Sequence, residues 1–549
     1  MNYLVLASAI LVVGIAVFVI SAINDSKKLK KKLTASFGKE PDNQNVSFDS
    51  IGTYHYYKSR QTDGSHWIDA VTWNDLDMDD VFCRINCCCT SVGDEYLYHI
   101  LHTPQMSEDS LKTRETTIAY LRANAEERLK LQMMLSGLGK KSNNNLVSFI
   151  NGKTTIPLKH PTLYNILALM PMLGALCIPF AQSFGMGLLI VAFLVNIFVY
   201  YSAKRKIEAN ISAMEYFSSL LCCCHKICSS KEEALKPLIA AMRQSLAVFR
   251  SLRSKIPHLS QAGISDTEVI MEYIKILFLS DLRNYNKAMK CIGKNTAAFE
   301  QLYISVGELD SAICILSFRE SLPVYCSPVF HTKNEVEFLG LYHPLLSQPV
   351  ANDAEIHRNS IITGSNASGK STFIKAVAIN GILAQTIYTC AARSYAAAFT
   401  LVITSMAVQD NLLEGDSYFV TEIKSLKRIL DKLNVVPCSC FIDEILKGTN
   451  TIERIAASVA VLQYLQAKDC LCIVATHDIE LTEILKGNYD CYHFSEQITD
   501  DGIHFDYLLK QGAAQTRNAI RLLHFMHFDD ALVKNAENLA EQYLNTRTW

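Results

Sequence analysis

Three short segments of this sequence carry side chains suited to one reaction. Gly364-Ser365-Asn366-Ala367-Ser368-Gly369-Lys370-Ser371 has the spacing G-x4-G-K-S. Glycines so placed let backbone N–H groups close around phosphate oxygens. The lysine can then reach the outer phosphates, and the following hydroxyl suits Mg2+. Cys440-Phe-Ile-Asp443-Glu444 delivers two adjacent carboxylates after an apolar run. Asp443 is suited to hold Mg2+, directly or through water, and Glu444 to polarise an attacking water; a phosphate loop alone supplies neither function. Val474-Ala-Thr476-His477-Asp478 ends a third apolar run, where His477 could sense or polarise a terminal phosphate. The expected chemistry is phosphoryl transfer to water, with ATP and Mg2+ as the cofactors.

Such groups must be held at the ends of strands. Asn359–Thr363 reads as a strand running into the phosphate loop, and a helix is expected from Thr372 to Ala384 after it. Further runs of strand length are Thr400–Thr404, Cys438–Ile442 and Cys470–Ala475, with helical patterns between most of them. Alternation of this kind predicts an α/β domain with a mainly parallel sheet. Upstream the texture is helical. Residues 107–140 place apolar side chains at three- and four-residue spacing, with Ser107 or Asp109 as a cap, and residues 204–325 read as long amphipathic helices. No internal repeat is visible.

The chain has 549 residues, enough for about three to four domains. Hydrophobic residues reach 49% against 19% charged, and two charge-free stretches, 1–23 and 161–203, account for the excess. A bilayer-crossing helix needs roughly 20 apolar residues, so the first fits one helix and the second fits two, with a turn near Gln182–Gly185. Lys27, Lys28, Lys30, Lys31 and Lys32 follow the first stretch, while Lys153, Lys159, Lys204, Arg205 and Lys206 flank the second. Basic flanks mark the cytoplasmic side. The expected topology is multi-pass: an outside N-terminus, about three membrane helices, and a cytoplasmic remainder. The 18 cysteines, clumped at Cys87–Cys89 and Cys222–Cys224, suit a reducing compartment rather than a disulfide framework. Cys222–Cys224 with His225 and Cys228 lack a second ligand pair, so no structural metal is expected. A net charge of −2 excludes a global electrostatic drive toward nucleic acid, and any such contact would need local basic patches.

Taken together, the motifs resemble the MutS family of DNA mismatch repair ATPases. The resemblance rests on Ile362–Thr372 at the phosphate loop, Asp443–Thr451 at the acidic strand, and the signature-like segment Asp410-Asn-Leu-Leu-Glu-Gly-Asp-Ser417-Tyr-Phe-Val-Thr-Glu422. His343-Pro344 upstream and Gly512–Ile520 downstream add to it, in family order over about 200 residues. Thr90-Ser-Val-Gly93 to Pro104 is similar, more weakly, to the start of the family's helical core. The resemblance implies an α/β P-loop NTPase domain of the ABC-type, MutS-like class. It would follow a mainly helical core and lever region, with transmembrane helices. The implied domains are a transmembrane helix at 1–23, a cytoplasmic linker at 24–75 and a first helical part at 76–160. A transmembrane hairpin at 161–203, a second helical part at 204–330, the ATPase domain at 331–525 and a C-terminal helix at 526–549 complete the set.

The family also implies a head-to-tail homodimer, in which Ser417 would contact the γ-phosphate held by Lys370 of the other copy. Tyr507 stands where the family stacks an aromatic group on adenine. DNA is the implied partner, with binding coupled to ATP turnover as in mismatch repair. Ala367-Ser368 and Asn450 depart from the family's residues but stay small or polar. No mismatch-reading domain fits before residue 76, and Phe494-Ser-Glu496 has a reader's spacing only by chance. The alternative is a membrane-anchored, ATP-driven conformational switch acting on a protein partner without DNA. A transporter of the ABC class fits least, since about three spans form a poor translocation path and no LSGGQ-type signature occurs.

Overall fold

Ser360-Ile-Ile-Thr363 is buried at all four positions, and Cys470–Thr476 at all seven. Strands covered on both faces belong at the centre of a parallel sheet flanked by helices. The computed structural model describes residues 20, 21, 23–42, 46–62, 64, 66–141, 146–151, 158, 161–229, 235–253, 273–365, 368–406, 418–447, 449–499, 502–514, 520, 523, 526 and 528–546. The chain divides into two compact units: Met1–Thr62, Asn86–His99 and Arg114–Ser317 in one, and Asp63–Ile85, Ile100–Thr113 and Phe318–Trp549 in the other.

The second unit carries twelve strands among its described residues: β1 Val329–His331, β2 Val336–Leu341, β3 Asn352–Ile356, β4 Ser360–Thr363, β5 Ser394–Ala398, β6 Leu401–Ser405, β7 Cys438–Asp443, β8 Cys470–Thr476, β9 Asp490–His493, β10 Glu496–Thr499, β11 Gly502–Phe505 and β12 Lys510–Gln511. The main sheet runs β12-β9-β4-β8-β7-β6, parallel except for β12. A smaller sheet runs β1-β5-β2-β3. The expected strands match β4, β6, β7 and β8 to within a residue, and the expected helix is Lys370–Ile387. Apolar runs bounded by turn residues are what made them readable.

The expected boundary near residue 330 is crossed by earlier chain. Residues 69–77, assigned to linker and helical core, cover the β6 edge. Asp75 Oδ2 accepts from Thr404 Oγ1 at 2.7 Å and Met406 N at 3.0 Å, Asp69 pairs with Arg428, and Lys375 Nζ reaches Asp77 at 2.6 Å. Covering an edge in this way satisfies its open backbone groups and prevents strand addition.

The first unit is helical. Residues 107–140 form two helices, Glu108–Ala123 and Ala125–Leu138, with Asn124 at the break. Around Thr90 a buried knot forms. Asp310 accepts from Cys89 N (3.0 Å), Thr90 N (2.9 Å) and Thr90 Oγ1 (2.7 Å), while the Thr90 hydroxyl accepts from Gly93 N at 2.8 Å. A Cβ on Gly93 would sit 2.3 Å from Asp310 Oδ2, so this turn requires glycine. Phe217 packs edge-on against Phe249 and Phe299, with centroids 5.4 and 4.9 Å apart.

Among the described residues, two helices are long and apolar enough to cross a membrane: Gln182–Ala203, the first part of a 46-residue helix ending at Ile227, and Thr296–Ser321. Pro161–Cys177 is apolar but shorter. The hairpin turn falls at 178–181, just before the expected Gln182–Gly185. The expected N-terminal span lies almost entirely outside the described residues.

Candidate active site

The phosphate loop leaves the C-terminal end of β4, between β8 and β9, where ligands of open α/β sheets bind. Its glycines are needed for different reasons. Gly364 has φ +145°, and a Cβ there would meet the Phe494 carbonyl oxygen at 2.8 Å. Gly369 has φ +96° and caps the helix Lys370–Ile387, whose N-terminus favours anionic charge.

Lys370 is buried at the centre. Its Nζ donates to the carbonyl oxygens of Gly364 (2.6 Å) and Ser365 (2.7 Å). Burial pulls the ammonium below its ordinary pKa, against the opposing pull of Asp443, Glu444 and Glu496. The Ser371 hydroxyl, at the start of the helix, bonds the Asp443 carboxylate at the end of β7. Burial raises Asp443, and that bond offsets part of the rise. Two hard oxygen donors from neighbouring elements thus face each other, a donor set that fits Mg2+.

Glu444 sits just past β7 in the left-handed region at φ 58°, and Leu446 follows at φ 57°. Such backbone persists where surrounding bonds fix it, and Glu444 N donates to Ala475 O on β8 at 2.9 Å. The Glu444 carboxylate pairs with His477 Nε2 and with Lys447. The His477 bond, supported by Lys447, holds its pKa down to about 2. His477 Nδ1 lies 3.1 Å from the Gly364 carbonyl oxygen, so the ring links the acidic strand to the phosphate loop. Both ring nitrogens thus face oxygen acceptors.

The expected residues Gly364, Ser365, Ser368, Gly369, Lys370, Ser371, Asp443, Glu444 and His477 are brought together, and Thr372 follows on the exposed side of the helix start. Tyr507 also arrives: it adopts φ 54°, and a Cβ on Gly369 would lie 3.0 Å from its Cδ1. Asn366, Ala367 and Ser417 lie outside the described residues. Asn450 caps the helix Thr451–Gln466, accepting from Ile452 N at 2.9 Å.

Three contributors carry no mark in the sequence. Lys447 faces Glu444 because the turn after β7 folds back. Arg454 grips Asp478 through two bonds of 3.0 and 2.7 Å, tying the helix start to the loop that holds His477. Glu496, part of the chance Phe494-Ser-Glu496 spacing, accepts from Ser365 Oγ at 3.0 Å. The spacing has no reader role here, but the carboxylate borders the phosphate loop. No sequence signal points to it, since the contact closes over more than a hundred residues.

Comparison with known proteins follows the same geometry. Residues 360–544 match the family described as MutS domain V. The chain is 29% identical over 255 residues to the DNA mismatch repair protein MutS of Natronomonas pharaonis, covering 44% of this chain and 29% of that protein. It is 32% identical over 197 residues to the MutS of Pseudothermotoga lettingae, covering 34% and 24%. It is 31% identical over 199 residues to the DNA mismatch repair protein msh3 of Botryotinia fuckeliana, covering 33% and 17%. The chain therefore spans less than a third of the length of each of these relatives.

Proposed function

The chain belongs to the MutS family through its C-terminal domain, and on that premise we propose that it is an ATPase coupled to DNA binding. The observation that carries the reading is the His477 bridge, which joins the phosphate loop at Gly364 to Glu444 beside Asp443. It sets nucleotide binding and hydrolysis groups within one cluster of strand ends.

ATP phosphates would lie on the loop N–H groups and the helix N-terminus, with Lys370 exchanging its two carbonyl partners for phosphate oxygens. Ser371 and Asp443 would hold Mg2+, which neutralises phosphate charge when bound. Tyr507 would border the base. Glu444 would orient the attacking water. A carboxylate held near a pKa of about 2 is a poor proton acceptor, so this role requires Lys447 or His477 to loosen its hold. Pairing of two copies, with Ser417 of each reaching the phosphates of the other, would supply that rearrangement. DNA engagement, matched, mismatched or structured, would then be gated by ATP.

Glu444→Gln is expected to keep ATP binding, slow steady-state hydrolysis at least about 100-fold and accumulate an ATP-bound dimer. Lys370→Ala is expected to lose ATP binding. Hydrolysis by Glu444→Gln at the parent rate would refute the role of Glu444. For the DNA part, binding of matched and mismatched duplexes is compared at two salt concentrations with and without ATP. Absence of any salt-sensitive duplex binding would remove DNA from the reading while leaving the ATP site standing.

A further inference from the structure

The helices Pro161–Cys177 and Gln182–Ala203 form an antiparallel hairpin whose exposed surface is largely apolar. Leu169, Leu173, Leu176, Ile190, Leu194 and Phe198 are each more than half exposed. No charged residue occurs from 161 to 203. A helix docked on a protein partner keeps one polar face toward water, whereas a helix that is apolar all round belongs in a core or a bilayer. Only 22% of Gln182–Ala203 is buried, so its own core does not cover it.

We infer that this hairpin inserts into a lipid bilayer and returns both ends to the same side. Length agrees: 22 residues rise about 33 Å, against a hydrocarbon thickness of about 30 Å. The interior of the hairpin is built as membrane helices pack. Gly174 and Gly185 let the backbones touch, and a Cβ on Gly185 would lie 2.7 Å from Ile178 N and 2.8 Å from Gly174 O. Asn196, the one strongly polar side chain deep in the second helix, is buried and donates to Leu167 O (3.2 Å) and Leu277 O (2.7 Å). At the open end the composition changes as it does at an interface. Tyr200 and Tyr201 lie at that level with ring centroids 5.5 Å apart, and Lys204, Arg205 and Lys206 follow directly in the sequence. The aromatic and basic order places that end at the headgroups and the turn at 178–181 in the lipid or beyond it.

The test uses the full chain reconstituted in phosphatidylcholine vesicles with brominated acyl chains, which quench nearby tryptophan. Leu194→Trp adds an emitter to Trp67, Trp73 and Trp549 at an exposed hairpin position. Phe198→Trp is an aromatic exchange held in reserve in case the first variant misfolds, and retained ATP binding reports folding. The added emission is expected to be quenched at least about twofold more than that of the parent, and to resist aqueous iodide. This readout is local to the hairpin, so anchoring by residues 1–23 alone would not reproduce it. Added emission quenched no more than the parent's would overturn the proposal. So would a detergent-free soluble dimer in which the added tryptophan is shielded from both quenchers.

Discussion

Among the described residues, Gln182–Ala203 and Thr296–Ser321 are the two helices long and apolar enough to cross a membrane, yet the structure treats them as opposites. The first is 22% buried, the second 83%. The reason lies in the polar residues. Thr296–Ser321 carries Glu300, Glu308 and Asp310, and each finds a partner inside its unit: Lys58 at 3.0 Å, Arg114 at 2.8 Å, and the Thr90 turn. An apolar helix with paired carboxylates is a core helix, because those partners come from packed neighbours. The charge-free hairpin has nothing to pair and leaves its apolar surface outward. Mean hydropathy is higher for the first helix, and the placement and partnering of charges gives the reason.

The contrast predicts unequal responses to substitution. Asp310→Ala would leave three buried donors at Cys89 and Thr90 without an acceptor. At about 1–3 kcal/mol for each unsatisfied group, denaturant unfolding should show a loss of several kcal/mol. Leu173→Ser in the exposed hairpin should change the same measurement in detergent by no more than about 0.5 kcal/mol. Equal losses would break the comparison.

A second difference is set by pH. Burial raises Asp310 from 3.8 to about 6, so the folded chain binds this proton more tightly than the unfolded chain. Its contribution to stability is therefore most favourable below the unfolded pKa and declines as pH rises through about 6. A rise of that size corresponds to roughly 2–3 kcal/mol at most. Asp310→Asn lacks this dependence, so the stability gap between it and the parent should change from pH 4 to pH 7 and stay flat above. Buried His55, lowered to about 4, acts in the opposite sense in both proteins and cancels in the difference.

The smallest effect concerns close packing. Gly307 lies against Tyr96, where a Cβ would come within 2.5 Å of the tyrosine Cβ. Gly307→Ala should cost about 1–3 kcal/mol through overpacking. Gly187, with no atom near its would-be Cβ, should accept alanine with a gain of a few tenths from helix propensity. Thermal unfolding of the two variants would sharpen the comparison between core and hairpin.

Much of the site was legible because its parts are local. The phosphate loop, β7 with Asp443 and Glu444, and β8 before His477 each combine an apolar run with a few polar residues at its end. The order of strands was not legible, since parallel neighbours pair across long stretches of chain. The same applies to Ser365 with Glu496 and to Asp75 with Thr404: each contact joins residues that carry no mutual signal in the sequence. Asn124 shows a different limit. Apolar spacing continues through it, so only its backbone geometry divides 107–140 into two helices.

The helix Gln182–Ile227 runs unbroken for 46 residues, about 69 Å, from the hairpin turn to the packed aromatic core at Phe217. It is a single stiff rod with one end charge-free and exposed and the other clamped among side chains. A tilt of about 10° at the clamped end sweeps the far end sideways by about 12 Å. On the proposed insertion, bilayer thickness, which a helix accommodates by tilting, and the packing of the helical unit would be joined through one mechanical part.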